Sequence, residues 1–244
     1  MSRNVRLFVS GDLACFTRPE TKAERSSYPL PTPSAARNIL DAICWRPEMR
    51  WIVTSISLAS HPRAKSAANA LPQTLPLKRN EVQSTIGPDS VRDWMRDPST
   101  YRPQAAGAGE GTDGTPRMTV ALKNVAYILE AYPHVFDSNG GENTPQKYIA
   151  MFERRAAKGQ CHAQPYLGCR EFAAEFRLAT NQDEPVPVTE SLGRMLYDIA
   201  VTPAGRRPVF FNAELKDGLM DTRPEVVLKE NAMHAEVLAC SYKR

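Results

Sequence analysis

The sequence predicts an α+β fold in which two helices cover one face of an antiparallel sheet, on three observations. Two segments open alike on Thr-Pro, Thr32-Pro33 and Thr144-Pro145, and each continues with apolar residues at helical spacing. Extended stretches flank both: "VRLFVSG" and "RWIVTSISLASHP" around the first, "RMTVALKNVAYILEAYP" and "LGCREFAAEFRLA" around the second. The order β, α, β, long β, α, β is that of the ferredoxin-like, RRM-like split βαβ arrangement.

Each element carries its own reason. "VRLFVSG" alternates apolar side chains and ends on Gly11, a strand entering a turn, and the charged, proline-rich "DLACFTRPETKAERSSYPLP" reads as a loop. In "TPSAARNILDAICW", Thr32 suits the N-cap, Pro33 the first helical position, and Ala36, Ile39, Leu40 and Ile43 the buried stripe. "LPLKRNEV" reads as a short extended piece. Residues 84–116, where Gly, Pro and Asp accumulate, read as a mobile insertion or long hairpin loop. In "TPQKYIAMFERRAAKG", Thr144 is the expected N-cap and Gly159 the C-terminal cap, with Tyr148, Ile149, Phe152 and Ala156 sharing one side. "LGCREFAAEFRLA" reads as a strand after a glycine turn. Beyond Pro187 the pattern changes to "MLYDIAVTP" and "RPVFFNAELKDG", antiparallel strands with tight turns. The expected organisation is therefore a domain over 1–187 and a small C-terminal antiparallel β domain over 188–244.

Composition narrows the function classes. A formal charge of +4 over 244 residues is only mildly basic, so a polyanion site must come from clustering. From Lys147 to Arg170 the chain does cluster: Lys147, Arg154, Arg155, Lys158 and Arg170 stand against one acid, Glu153. Lys147 falls in the first turn of its helix, where the dipole favours an anion, and the other cations lie behind it. The competing reading is an ordinary solvated helix face. Five cysteines with no C-x-x-C pair argue against a disulfide framework and fit a reducing cytoplasm. Cys161, His162 and Cys169 in "CHAQPYLGC" lack both a fourth ligand and a zinc-class spacing, so no metal and no cofactor are expected. No apolar run approaches membrane-spanning length and "MSRNVRLFVSGDL" is no signal peptide, so a soluble protein is expected. "GEGTDG", Gly109 to Gly114, has the letters of a dinucleotide loop, but no strand leads in and no helix follows. The four histidines are scattered, and only His162, close behind the basic helix, is kept as a minor candidate.

The stretches "GDLACFTRPETKAERSSYPLPTPSAARNILDAICWRP", "LKRNEV" and "KYIAMFERRAAKGQCHAQPYLGCREF" resemble, in order and across most of the chain, the CRISPR-associated proteins of the fifth Cas family, subtype I-C. The resemblance implies a RAMP-type protein with a ferredoxin-like domain and an appended β domain. Proteins of that family cut precursor CRISPR RNA within the repeat without a metal. They then remain on the 5′ handle of the guide, in an antiviral surveillance complex with seventh- and eighth-family Cas subunits. The family sets a Tyr, a Lys and a His around the scissile phosphate, and the matching positions here read Cys44, Lys147 and Tyr148.

Metal-free cleavage by the 2′-hydroxyl needs a group to take its proton, one to protonate the departing 5′ oxygen, and a cation for the phosphorane. Lys147 is expected to be that cation. Tyr148 is a poor base unless its pKa is lowered, but it could orient the hydroxyl or act as acid; Cys44 could be a base after a modest pKa drop, or mere packing beside Trp45. Arg154, Arg155 and Lys158 are expected to track the RNA backbone. Arg25, Tyr28 and Arg37, in the resembling stretch, are expected as further RNA contacts by pairing and stacking.

The leading expectation is thus a metal-independent endoribonuclease that recognises and cuts the repeat stem-loop. With two of three family positions altered, the alternative is a subunit that binds the 5′ handle without cutting. A third reading, a metal-dependent nuclease, would need acids such as Asp12, Asp41 and Glu171 to meet. The basic groove leaves duplex DNA binding open.

Overall fold

The protein is described by a computed structural model over residues 4–21, 24–63, 71–81, 88–100, 115–136, 138–202 and 205–228. Its first strand, β1 (Val5–Ala14), is followed by β2 (Phe16–Thr17), β3 (Arg25–Tyr28), α1 (Pro33–Ile43), β4 (Met49–Leu58) and β5 (Gln73–Glu81). Then come α2 (Pro88–Arg96), β6 (Thr115–Val135), α3 (Pro145–Ala157), β7 (Glu175–Leu178), β8 (Glu190–Thr202), β9 (Gly205–Leu215), β10 (Leu219–Asp221) and α4 (Pro224–Val227).

Strands β4, β6, β1 and β7 lie side by side in that order, all antiparallel, with α1 and α3 as the two crossovers. This is the expected ferredoxin-like order. The 21-residue β6 holds the sheet together: its second half pairs with β1 and β4, and its first half pairs with β5 and runs parallel to β3. Asn124, with a positive φ of 52°, marks the junction of the two halves.

Both helices start as the sequence predicts. The Thr32 hydroxyl accepts from the Ala35 amide at 3.1 Å, and the Thr144 hydroxyl from the Lys147 amide at 3.3 Å. Ala36, Ile39, Leu40 and Ile43 of α1 are buried, as are Tyr148, Ile149, Phe152 and Ala156 of α3. The two helices meet the sheet at Trp51, whose ring stands edge-on to Phe152 with centroids 5.0 Å apart.

The β8–β9 hairpin buries Met195, Tyr197, Val209, Phe211, Ala213 and Leu215 in the same continuous core as the sheet and helices. β10, the short piece after it, adds itself to the free edge of β4. The sheet is therefore flanked by the hairpin as well as by the helices.

Three sequence expectations change. The stretch 12–31, read as a loop, contains β2, β3 and the end of β1. Within 84–116, α2 forms over Pro88–Arg96, with Asp89 in its first turn paired to Arg92 at 3.0 Å and Arg96 in its last. Pro, Asp and the i,i+3 ion pair are helix-starting signals that the surrounding glycines obscured. Residues 101–114, including "GEGTDG", lie outside the described residues, as does the tail beyond 228 with His234 and Cys240. "LGCREFAAEFRLA" is strand only over β7, because Gly168 (φ 85°) turns the chain hard against Cys15.

Gly168 and Gly159 offer a paired test. Both have positive φ, but a Cβ at 159 would meet open space, whereas one at 168 would run into the Cys15 carbonyl. Gly159→Ala should cost about 1 kcal/mol, the left-handed penalty alone. Gly168→Ala should cost at least about 2 kcal/mol more by urea unfolding; equal losses would refute the close approach.

Candidate nucleic-acid interface

The basic helix α3 divides its cations by what they touch. Lys147, Arg154 and Lys158 are exposed, and their i, i+7, i+11 spacing puts them within about 20° of one line along the helix. That line is about 16 Å long at the helical rise. Among the described residues no carboxylate pairs with any of the three. Arg155, one step round the helix, is half-buried and donates from Nη1 to the Ile43 carbonyl at 2.9 Å. It closes the open C-terminal end of α1, where a cation also meets the negative pole of the dipole. Arg155 is first a structural tie, which corrects its expected place among the backbone-tracking cations.

Lys147 is held at the start of α3. Its Nζ donates to Asn143 Oδ1 at 3.0 Å and stands 5.7 Å from the Tyr148 ring centroid. The first turn offers fewer amides to an anion than a generic helix would. Pro145 has none, and that of Lys147 is taken by Thr144. The anion-attracting charge here is therefore chiefly the ammonium itself.

Tyr148 has no exposed surface, and its hydroxyl donates to Glu48 Oε1 at 2.8 Å. Burial, then the hydrogen bond to Glu48 and the Glu48 charge, push the phenol well above its usual range. The lowered pKa that a base role required is therefore absent, while orienting the hydroxyl or acting as acid stays open. Cys44, the C-cap of α1, is likewise fully buried, and its carbonyl accepts the Trp51 indole N–H at 2.7 Å. Burial raises its thiol, against the pull of Arg155 and Arg46. Of the two readings the sequence left open for Cys44, burial and a raised thiol favour packing over the base. Cys44 and Tyr148 do come together, each close enough to feel the other's neighbour Arg46. The fold thus gathers all three matching positions where α1 ends and α3 begins. The backbone of His162 reaches the same place, its N–H donating to the Ala42 carbonyl at 3.0 Å, and its side chain is exposed.

The remaining candidates lie elsewhere and are engaged. The Arg37 guanidinium pairs with Asp198, with its Nη2 3.2 Å from Oδ1, while Arg50 reaches Oδ2 of the same carboxylate. Asp41 stands 3.9 Å from the Arg37 Nε. This cluster is almost wholly buried between α1, β4 and β8, so Arg37, expected as an RNA contact, is instead turned inward and pins the hairpin. Tyr28 is buried with the Arg18 guanidinium 4.6 Å over its ring, which removes it as a stacking platform. Arg25 is half-buried, 2.8 Å from Glu171 and 3.6 Å from the Cys169 sulfur. Asp12, Asp41 and Glu171 each sit with a different arginine and do not converge. Among the described residues no helix is long and apolar enough to cross a membrane.

The sequence reading overlooked Asn143 and Glu48, which hold Lys147 and Tyr148 in place. Asn143 was within reach of sequence reasoning, four residues before Lys147 and next to the cap. Glu48 was not, being 100 residues from Tyr148.

Comparison with known proteins gives a consistent result. Residues 5–235 match the Cas_Cas5d family, described as CRISPR-associated protein (Cas_Cas5). The chain is 39% identical to the CRISPR pre-crRNA endoribonuclease Cas5d of Mannheimia succiniciproducens, over 92% of this chain and 96% of that one. It is 35% identical to the protein of the same name from Thermus thermophilus, over 91% and 92%. In backbone it is similar to a solved structure titled "Crystal Structure of CRISPR-associated Protein", with a TM-score of 0.61 at 22% identity, over 90% of this chain and 91% of that one. That last likeness speaks for the fold.

The buried charge cluster has a signed pH consequence. Burial pushes the Asp41 carboxyl up to about 6, against the pull of Arg37 and Arg50. A carboxyl raised on folding contributes stability that is full below its unfolded pKa and lost as pH rises through the folded one. Between pH 5 and 7 the wild type should therefore lose about 1 kcal/mol relative to Asp41→Asn by urea unfolding. A gap that stays constant with pH would contradict the assignment. Arg37→Ala should cost about 3 kcal/mol of stability, because it breaks a buried ion cluster. Loss of RNA affinity with unchanged stability would restore Arg37 as an RNA contact.

Proposed function

This chain belongs to the Cas5d family of CRISPR-associated proteins, and we propose that the junction of α1 with α3 is where it cuts precursor CRISPR RNA. It is a CRISPR RNA-processing endoribonuclease. The observation that carries the location is the exposed line Lys147–Arg154–Lys158, beginning at the position where the resembling family keeps its lysine.

A repeat strand laid along that line meets three cations that, among the described residues, pair with no carboxylate, so its phosphates gain charge pairing without breaking an internal ion pair. Lys147 stabilises the charge that develops on the phosphorane, and Asn143 keeps its ammonium from swinging free. Tyr148 touches Glu48 and the Lys147 ammonium, so it acts as a positioning residue. The proton must then move through another group. Histidine is the side chain whose charge ordinarily changes near neutral pH, and His162 is exposed beside the last turn of α1. The reading is metal-independent attack by the 2′-hydroxyl, leaving a 2′,3′-cyclic phosphate. The product's 5′ handle stays bound, and the chain enters a type I-C complex with seventh- and eighth-family Cas subunits in the cytoplasm. The same stripe offers duplex DNA a backbone contact.

A second reading is favoured by one observation: Cys44 and Tyr148, the altered family positions, are both buried with raised pKa values. A chain without a proton acceptor at the site would hold the handle without cutting it.

A labelled repeat RNA in excess chelator separates these readings. Wild type should give one defined product, lost when the 2′-hydroxyl upstream of the cut is replaced by hydrogen. Lys147→Ala should slow cleavage at least about 100-fold while binding weakens only modestly. His162→Ala should slow it about 100-fold and His134→Ala, near the end of β6, little, whereas Tyr148→Phe should retain most activity. Tight binding with no product from wild type would establish the handle-binding subunit. Cleavage abolished by the chelator would establish a metal-dependent nuclease.

A further inference from the structure

Away from α3, at the end of β1, two cysteines share one polar pocket. Cys15 and Cys169 are 154 residues apart, and their thiols reach the same hydroxyl. The Thr17 hydroxyl lies 3.7 Å from the Cys15 sulfur and 3.9 Å from that of Cys169. Cys169 also donates to the Cys15 carbonyl at 3.5 Å, and Arg25 approaches its sulfur from the other side at 3.6 Å. The backbones are fastened together: the Cys15 amide donates to the Leu167 carbonyl at 3.0 Å, and Gly168 packs directly on Cys15.

We infer that Cys15 and Cys169 form a redox-responsive dithiol, closed to a disulfide by a peroxide. Burial alone makes a thiol inert, so two buried cysteines would normally be mere packing. Here a guanidinium and a hydroxyl stand 3.6 and 3.9 Å from one sulfur, whereas among the described residues the Cys44 sulfur has no hydrogen-bond partner. The neighbouring Cys15 thiol, with Arg25 and Thr17, lowers the Cys169 thiol against burial and Glu171, while Cys15 is raised. Cys169 is thus the nucleophile and Cys15 the resolving thiol.

The chemistry balances. The Cys169 thiolate attacks one peroxide oxygen, an S–O bond forms, the O–O bond breaks, and hydroxide leaves to take up a proton. Cys15 then attacks the sulfenic sulfur; the S–S bond forms, the S–O bond breaks, and the Cys15 proton departs with the second water. Two sulfurs give up two electrons in all, and the peroxide becomes two waters. The bond would tie the end of β1 covalently to the turn that leads into β7. It also removes the negative sulfur beside Arg25 and leaves Glu171 to balance that guanidinium. The inference stands independently of the RNA reading.

The test is hydrogen peroxide treatment of the full-length protein, with non-reducing digestion and mass spectrometry. The expected result is a Cys15–Cys169 cross-linked peptide, lighter by two hydrogens and reversed by dithiothreitol. Iodoacetamide should also label Cys169 faster than the exposed Cys161 in the unsubstituted protein, at least about threefold at neutral pH. Cys15→Ser should halt Cys169 at the sulfenic acid, trapped by dimedone, and Arg25→Gln should slow both reactions. Peroxide oxidation of Cys161 with no Cys15–Cys169 bond would overturn the proposal, as would Cys169 labelling no faster than Cys161.

Discussion

The pairing of β6 is the constraint on which the structure depends. One strand of 21 residues supplies the partner for β1 and β4 in its second half and for β5 and β3 in its first. Strand register fixes which side chains face which way, so this single strand decides that Leu129, Tyr127 and Val125 face the helices. It also ends beside the start of β4, where the Phe136 amide donates to the Glu48 carbonyl at 2.9 Å. Glu48 is the residue that holds Tyr148. The chain from sheet register to candidate site is therefore short: β6 places Glu48, Glu48 fixes Tyr148, and Tyr148 with Asn143 frames Lys147.

The second organising feature is how the chain uses its arginines. Arg37 and Arg50 converge on Asp198, Arg155 closes α1, Arg25 lies between Glu171 and Cys169, and Arg18 covers Tyr28. All but Arg18 link segments more than a hundred residues apart, work suited to a planar, always-charged fork. What is left facing solvent on α3 is Lys147, Arg154 and Lys158, none of which pairs with a carboxylate among the described residues. A mildly basic chain becomes locally cationic on α3 because these three cations stay at the surface while Arg155, beside them, turns inward. The electrostatic footprint is thus set by the tertiary pairing more than by the net charge.

That division also explains what could be read from the sequence. The βαββαβ order, both Thr-Pro caps and both buried helix stripes were legible, because caps and periodicity are local signals. β2, β3 and α2 were not, since strands of two to four residues and a charged helix among glycines carry little periodicity. Of the site, Lys147, Arg154 and Lys158 were legible from helical spacing. Arg37 and Arg155 look identical to them in sequence, and only partners 161 and 112 residues away set them apart. Cys44 and Tyr148 were matched by family position, but their burial depends on Trp51 and Glu48, which no local pattern announces.

The measurement that bears most directly on the central claim is the salt dependence of repeat RNA binding, for wild type against the combined Lys147→Ala, Arg154→Ala, Lys158→Ala protein. If the exposed line of α3 contacts the phosphates, the slope of log K against log salt should fall by about 2 to 3, one lost counterion contact per residue. An unchanged slope in a folded variant would place the RNA on another surface and contradict the account.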